Sequence, residues 1–504
     1  MKKYLIILLF SFIVISVDAQ IDEMNIKWGD PIPAKRMVVN DILSADNEGE
    51  FYSSSTSIKF MGGTRYFQKY NSLKLKKQIE LKSEYKRKEY DIEYVIELNN
   101  QLYLMNQVST REKYSLSAQG LNNETLRPSG NRQTIYNFKK NKTARYTPGT
   151  ERSYISQEES KIAYIMTHPG DKKSPFITSV KLFDDNFDLL WDNKIEFDSP
   201  KERTHLTSIT CSDDGTVYML LRVTKEKEDQ RRNERKYDIV LHAISADGVE
   251  SSTTLELDDN YIVSLKLNIS AEGNLLCGGF YSQEGYQTDG VFYMTLSSED
   301  YSVLTTSMKK FDLGFIVEGQ SDRVKKKAKK KVAKGKNVGL SHVTFRNIIV
   351  KEDGGAVLVG EYVHIYTTTY TDQNGVTKST THYNYDDIYV INIDPDGQIE
   401  WAKKIWKRQH TTEDGGFYSS FFMVINGEYL NFLYNTRENR TNILKVATLD
   451  ADGEQVIDEL VKSKSRAKMR IRPKSCEQIT DDEFIIYAVG KKSYSFARVV
   501  LNGN

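Results

Sequence analysis

The sequence predicts an all-β fold, on three observations. Short strand-like runs alternate with Gly, Asn and Asp turns almost throughout its 504 residues, and 31 Tyr stand against 9 Pro, a balance suited to pleated sheet. Long runs with the 3.6-residue period of an amphipathic helix are not evident. Finally, three segments share one pattern, an apolar residue, a spacer, Trp, three spacers and Ile: Ile26-x-Trp28-x-x-x-Ile32, Leu189-x-Trp191-x-x-x-Ile195 and Ile399-x-Trp401-x-x-x-Ile405.

A unit recurs along the chain. In its clearest copy the turn Glu352-Asp353-Gly354-Gly355 opens onto the apolar run 356–359, and a long excursion follows. The strand-like run 387–393 comes next, then the turn Asp394-Pro395-Asp396-Gly397 and the Trp401 segment. Related openings occur at Glu48-Gly49, Asn99-Asn100, the stretch 158–166, Asp214-Gly215, Glu272-Gly273, Asn426-Gly427 and Asp481-Asp482. Four short antiparallel strands per unit, repeated about eight times (seven is the alternative), describe a single β-propeller. The last unit supplies strands at 484–488 and 495–500, and the chain stops where its Trp segment belongs. The N-terminal Trp28 segment is the missing strand, which predicts closure of the ring by the N-terminus and removal of an exposed sheet edge.

Residues 1–19 read as a secretory signal. Lys2 and Lys3 precede a short apolar run, and cleavage after Ala19 leaves Gln20 first. No later stretch is apolar enough to span a membrane, and no cysteine lies near the cleavage point to carry a lipid, so a soluble periplasmic or extracellular protein is expected. The mature chain of about 485 residues is formally neutral, which argues against a general nucleic-acid binder. Its length exceeds what one ordinary core fills, as a repeat array must. Cys211, Cys277 and Cys476 allow at most one bridge and no disulfide framework.

Two excursions are candidate contact elements. Residues 321–336 hold nine basic residues against Asp322, a net +8. Val324, Ala328 and Val332 fall at i, i+4 and i+8, so a helix there would rest one narrow stripe on the body and turn its lysines outward. Arg323, Lys325, Lys326, Lys327, Lys329, Lys330 and Lys331 would then meet an anionic surface; the competing reading is a solvated loop. Residues 365–385 are rich in Thr and Tyr around Asn374-Gly375, a two-residue hairpin signal that sets Tyr366 opposite Tyr383. Tyr366, Tyr370, Tyr383 and Tyr385 are the candidate binding residues of this ribbon, for a sugar or protein surface; a brace between repeats is the alternative. The mixed-charge excursion 225–236 reads as a solvated hairpin.

Catalytic signatures are absent. There is no G-x-S-x-G elbow, P-loop or G-x-G-x-x-G. The seven histidines show no close metal spacing; His364 and His382 could approach at the hairpin base, but two ligands do not make a zinc site. The Asp-rich segments at 392–403 and 448–459 match calcium loops incompletely and read as turns. No catalytic residue, cofactor or metal is expected.

The Asp-Gly turn followed four residues later by Trp, as from Gly397 to Trp401, resembles the tryptophan-docking repeat of quinoprotein-like and outer-membrane assembly propellers. The whole chain is similar to exported propeller proteins of Bacteroidota type. The resemblance implies the fold and no quinone, because Ile457 and Ser252 replace Trp after Gly453 and Gly248, and no two cysteines are neighbours. The expected function is non-catalytic binding or scaffolding of an envelope protein or glycan through surface loops. A carbohydrate-active enzyme, glycosidase or lyase, is the alternative, and a sensor or quinoprotein-like domain is third.

Overall fold

The computed structural model describes residues 25–501, apart from 34–36, 47, 60–61, 87–88, 140–150, 169, 227–235, 286, 428, 439–440 and 461–468. Residues 1–19, expected to act as a signal, and most of the 225–236 excursion lie outside the described residues. The described chain is predominantly strand, arranged as eight antiparallel sheets of four or more strands. In chain order they occupy residues 37–81, 83–139, 151–200, 204–255, 261–310, 343–412, 422–459 and 470–500. Each of the eight openings read from the sequence falls at a turn between two successive, paired strands of one sheet.

Strand patterning follows position within the sheet. Middle strands are covered on both faces and read as continuous apolar runs: every residue of Leu275–Ser282 is buried. Outermost strands meet solvent on one side and alternate, as in Leu189–Pro200. Trp191 and Trp401 both stand on outermost strands and reach into the following sheet. Their indole N–H groups donate to Gly215 O at 3.2 Å and Ala451 O at 2.9 Å.

The eighth sheet takes its outermost strand from the other end of the chain. Asn25–Trp28 pairs antiparallel with Ser493–Val500, placing Trp28 opposite Ala497. Eight apolar clusters hold the sheets together. Seven are each shared by two sheets consecutive in sequence, and the series runs from the first sheet to the eighth. The remaining cluster joins the eighth sheet to the first, through Ile485, Tyr487 and Phe496 against Val39, Phe51 and Tyr70. Full burial of such a side chain is worth about 1.5–3 kcal/mol, and no disulfide assists. All three cysteines are free and buried, and burial pushes the Cys211 thiol up to about 12.

Candidate functional site

The sixth sheet carries three insertions at one end. A segment with two helices, α1 (Leu313–Val317) and α2 (Asp322–Val332), leads into it. Its two middle strands, Ala356–Thr371 and Thr377–Ile393, extend beyond the sheet as a long hairpin. The segment 406–421 leaves it toward the seventh sheet. Val343 pairs with Tyr362 and Ile388 with Ile405, so the segment leading in, the hairpin and the segment leading out all start from this end.

The lysine tract is helical and not a loop, with Asp322 in the first turn and Lys329, Lys330 and Lys331 in the last, matching the helix dipole. The stripe does not seat fully. Ala328 is buried, but Val324 and Val332 stay 44% and 48% exposed. Part of the space beneath is a cavity of about 460 Å³, with Val324, Lys327, Ala328 and Lys331 along one side. The other tract residues point away from it; among the described residues none of the seven makes an ion pair.

The opposite wall is Tyr362, Asp386, Asp387, Tyr389, Lys404, Trp406 and Arg408. Adjacent strand residues ordinarily face opposite ways. Here the register slips, so that Asp386 and Asp387 together oppose Tyr362, a bulge that brings both carboxylates to the cavity. Asp386 accepts from the Gln409 N–H at 3.0 Å. Asp387 is 7% exposed and has no hydrogen-bond partner among the described residues; burial pushes its carboxyl up to about 6. Lys404 is committed elsewhere, donating to Phe315 O and Ile316 O at the end of α1, and burial holds its ammonium below the usual range. Trp406 is half-exposed, with one edge against Gly319 and the Arg408 guanidinium 5.9 Å from its ring. Gly319 has φ +70° and leaves no room for a Cβ beside the indole.

Residues 406–410 alternate strictly: Trp406, Arg408 and His410 face outward, Lys407 and Gln409 inward. The inward pair anchors the wall. Lys407 is fully buried and donates to Glu361 at 2.7 Å, Tyr385 O at 2.8 Å and Gln409 Oε1 at 3.0 Å. Glu361 also accepts from Arg346 Nε at 2.9 Å and Ser420 Oγ at 2.8 Å. Gln409 donates onward to Asn435 O at 2.8 Å, tying the segment to the seventh sheet.

The hairpin exists, but its register corrects the expected one. The turn runs from Asp372 to Gly375. The Asp372 carboxylate accepts from the N–H groups of Asn374 and Val376, the Gly375 N–H donates to Asp372 O, and Gly375 sits at φ +76°. This three-residue loop with a glycine bulge replaces the two-residue turn and shifts the pairing by one. Tyr366 therefore opposes His382, and Tyr383 opposes Ile365. A one-residue shift reverses faces. Tyr366 and Tyr370 share one face, while Tyr383 and Tyr385 lie on the other, packed near Gly416. The four tyrosines do not form one platform. His382 meets His410, not His364; His364 stacks on His342 with centroids 4.0 Å apart. Trp406, Asp386, Asp387 and Arg408 went unread in the sequence; the bulge and the outward alternation at 406–410 are the signals, and neither follows the apolar-polar pattern.

Among the described residues no group of three or more His, Cys, Asp or Glu side chains stands at metal-binding spacing, and no helix is long and apolar enough to cross a membrane. No family model and no curated relative matches the chain. Among solved structures it is similar to the WD40 domain of SCAP from fission yeast, at 8% identity over 95% of both chains and TM-score 0.39. A DUF4221 family member from Bacteroides vulgatus matches at 12% identity over 87% of this chain and 100% of that one, TM-score 0.32. The polysaccharide lyase Uly1 matches at 14% over 81% and 89%, TM-score 0.33. These likenesses say nothing of what this chain binds.

Proposed function

We propose that this is an exported, non-catalytic binding protein whose cavity between α2 and the sixth sheet holds a polyhydroxylated ligand, a glycan of the cell envelope. The carrying observation is the Asp387 carboxylate, 7% exposed on the cavity wall, which the charges of Lys404, Lys407 and Arg408 attract but to which no described residue donates a hydrogen bond. A desolvated acceptor without a hydrogen bond is costly, and ligand hydroxyls would satisfy it. The half-exposed Trp406 offers a face for a sugar ring, and Arg408, Lys327 and Lys331 favour an acidic one. The same reading takes the eight sheets as blades of one ring closed by Asn25–Trp28. The cluster joining the eighth sheet to the first supports it, as does the pairing with Ser493–Val500. Residues 1–19 act in it as a cleaved signal, and the outward lysines of α2 as a contact for anionic surfaces.

Calorimetry against a panel of neutral and acidic oligosaccharides tests this. Trp406→Ala and Asp387→Asn are expected to abolish binding of any hit while the far-ultraviolet spectrum stays unchanged. Retained binding in both variants would exclude the cavity. The enzyme reading draws on one feature, a carboxyl titrating near 6 beside a second carboxyl, the range of a general acid. New reducing or unsaturated ends after incubation with polysaccharide would favour it.

A further inference from the structure

Four of the seven histidines, His342, His364, His382 and His410, meet along one side of the hairpin base, outside the cavity proposed for ligand. Rings stack in series from His342 to His364, Tyr366 and His382. At the end of the series His382 Nδ1 stands 3.1 Å from His410 Nε2. We propose that His382 and His410 form a binding site for a divalent late first-row transition metal, Cu²⁺ foremost.

Thr368 Oγ1 lies 2.9 Å from His382 Nε2 and 3.4 Å from Thr380 O, so the hydroxyl can donate to Thr380 O and accept from Nε2–H. A neutral imidazole with its proton on Nε2 presents an unprotonated Nδ1, and that lone pair faces His410. In that tautomer His410 Nε2–H donates to the lone pair without metal, and a metal ion takes the place of the proton. The separation fits, because two imidazole nitrogens each about 2.0–2.1 Å from one ion, at angles of about 90–110°, lie roughly 2.9–3.4 Å apart. The two rings are within 12° of parallel with centroids 5.4 Å apart, an end-to-end arrangement. Convergence on one ion needs a turn of the exposed His410 ring.

His382 is held in place. Tyr366 stacks on it at 4.7 Å and 10°, and the Thr368 bond on its far nitrogen is the kind of outer-shell contact that orients metal-ligating histidines. His410 lies on the short strand His410–Thr412, paired to the hairpin with His410 opposite Asn384, so the two histidines are diagonal neighbours on adjacent strands. Two protein ligands leave the remaining positions to water. Such an open imidazole site selects by the general affinity order of divalent metals, which peaks at Cu²⁺.

Full-length chain without an affinity tag is titrated with Cu²⁺ at pH 7.5, followed by calorimetry and electron paramagnetic resonance. A saturable site with two nitrogen ligands is expected, weakened by about tenfold or more in both His382→Gln and His410→Gln, as for loss of a ligand or its support. His205→Gln, in the fourth sheet, serves as control and keeps wild-type affinity. Near-ultraviolet circular dichroism establishes that the variants fold. The proposal is overturned if binding does not saturate, if either hairpin variant keeps wild-type affinity, or if the spectrum shows a single nitrogen.

Discussion

Asp387 and Lys407 are neighbours in space with opposite fates. For Asp387 burial outweighs the attraction of Lys404, Lys407 and Arg408 and lifts its carboxyl from 3.8 to about 6. Below about pH 4 it is protonated in both the folded and unfolded chain and costs nothing. Between about 4 and 6 the unfolded chain ionises first, so stability falls as pH rises, and above 6 the loss is complete. Asp387→Asn is therefore expected to be more stable than wild type at pH 7.5 by up to about 3 kcal/mol. The gain should shrink toward zero at pH 4, as read by urea denaturation across that range. Lys407 has the hydrogen bonds Asp387 lacks, and removing it leaves the buried Glu361 to Arg346 and Ser420. Lys407→Met should cost about 3 kcal/mol, the low end for breaking a buried pair, and adding Glu361→Gln should recover part of it. An unchanged denaturation midpoint in the single variant would show the pair to be dispensable.

At the scale of elements, the hairpin and α2 teach different lessons. The hairpin was legible because Thr-rich strands and an Asn-Gly pair are local signals. Its register was not, because the Asp372 carboxylate captured two backbone N–H groups and selected the longer turn. Gly375→Ala at φ +76° should loosen the tip by about 1 kcal/mol. Faster amide exchange at 370–378, with the global melting temperature unchanged, is the expected result. For α2, the spacing of Val324, Ala328 and Val332 allowed a helix resting on the body but left a solvated loop as the competing reading. That it leaves a cavity under part of its length depends on Trp406 and Tyr362, residues far along the chain or on another strand.

The whole molecule depends on both chain ends. Ile26 and Trp28 pack against a cluster that includes Val424, Phe484 and Val499, and their strand covers the edge Ser493–Val500. Deleting residues 25–33 should lower the melting temperature and produce aggregates by size-exclusion chromatography, since an apolar strand edge is left open. A variant that stays monomeric with a wild-type melt would refute the structural role of the N-terminal strand.

The sequence by itself determined the all-β class, the eight opening turns and the partner of the Trp28 strand. Each is written in a few neighbouring residues, through side-chain period and turn chemistry. Only the tertiary structure decided the site. It joined α2, a bulge at Asp386 and Asp387, and an outward-facing Trp406 into one wall around a cavity. It also turned Tyr383 and Tyr385 away from Tyr366 and set His382 against His410. Those outcomes rest on contacts between segments tens of residues apart, where a one-residue change of register reverses every face, and no local pattern encodes that choice.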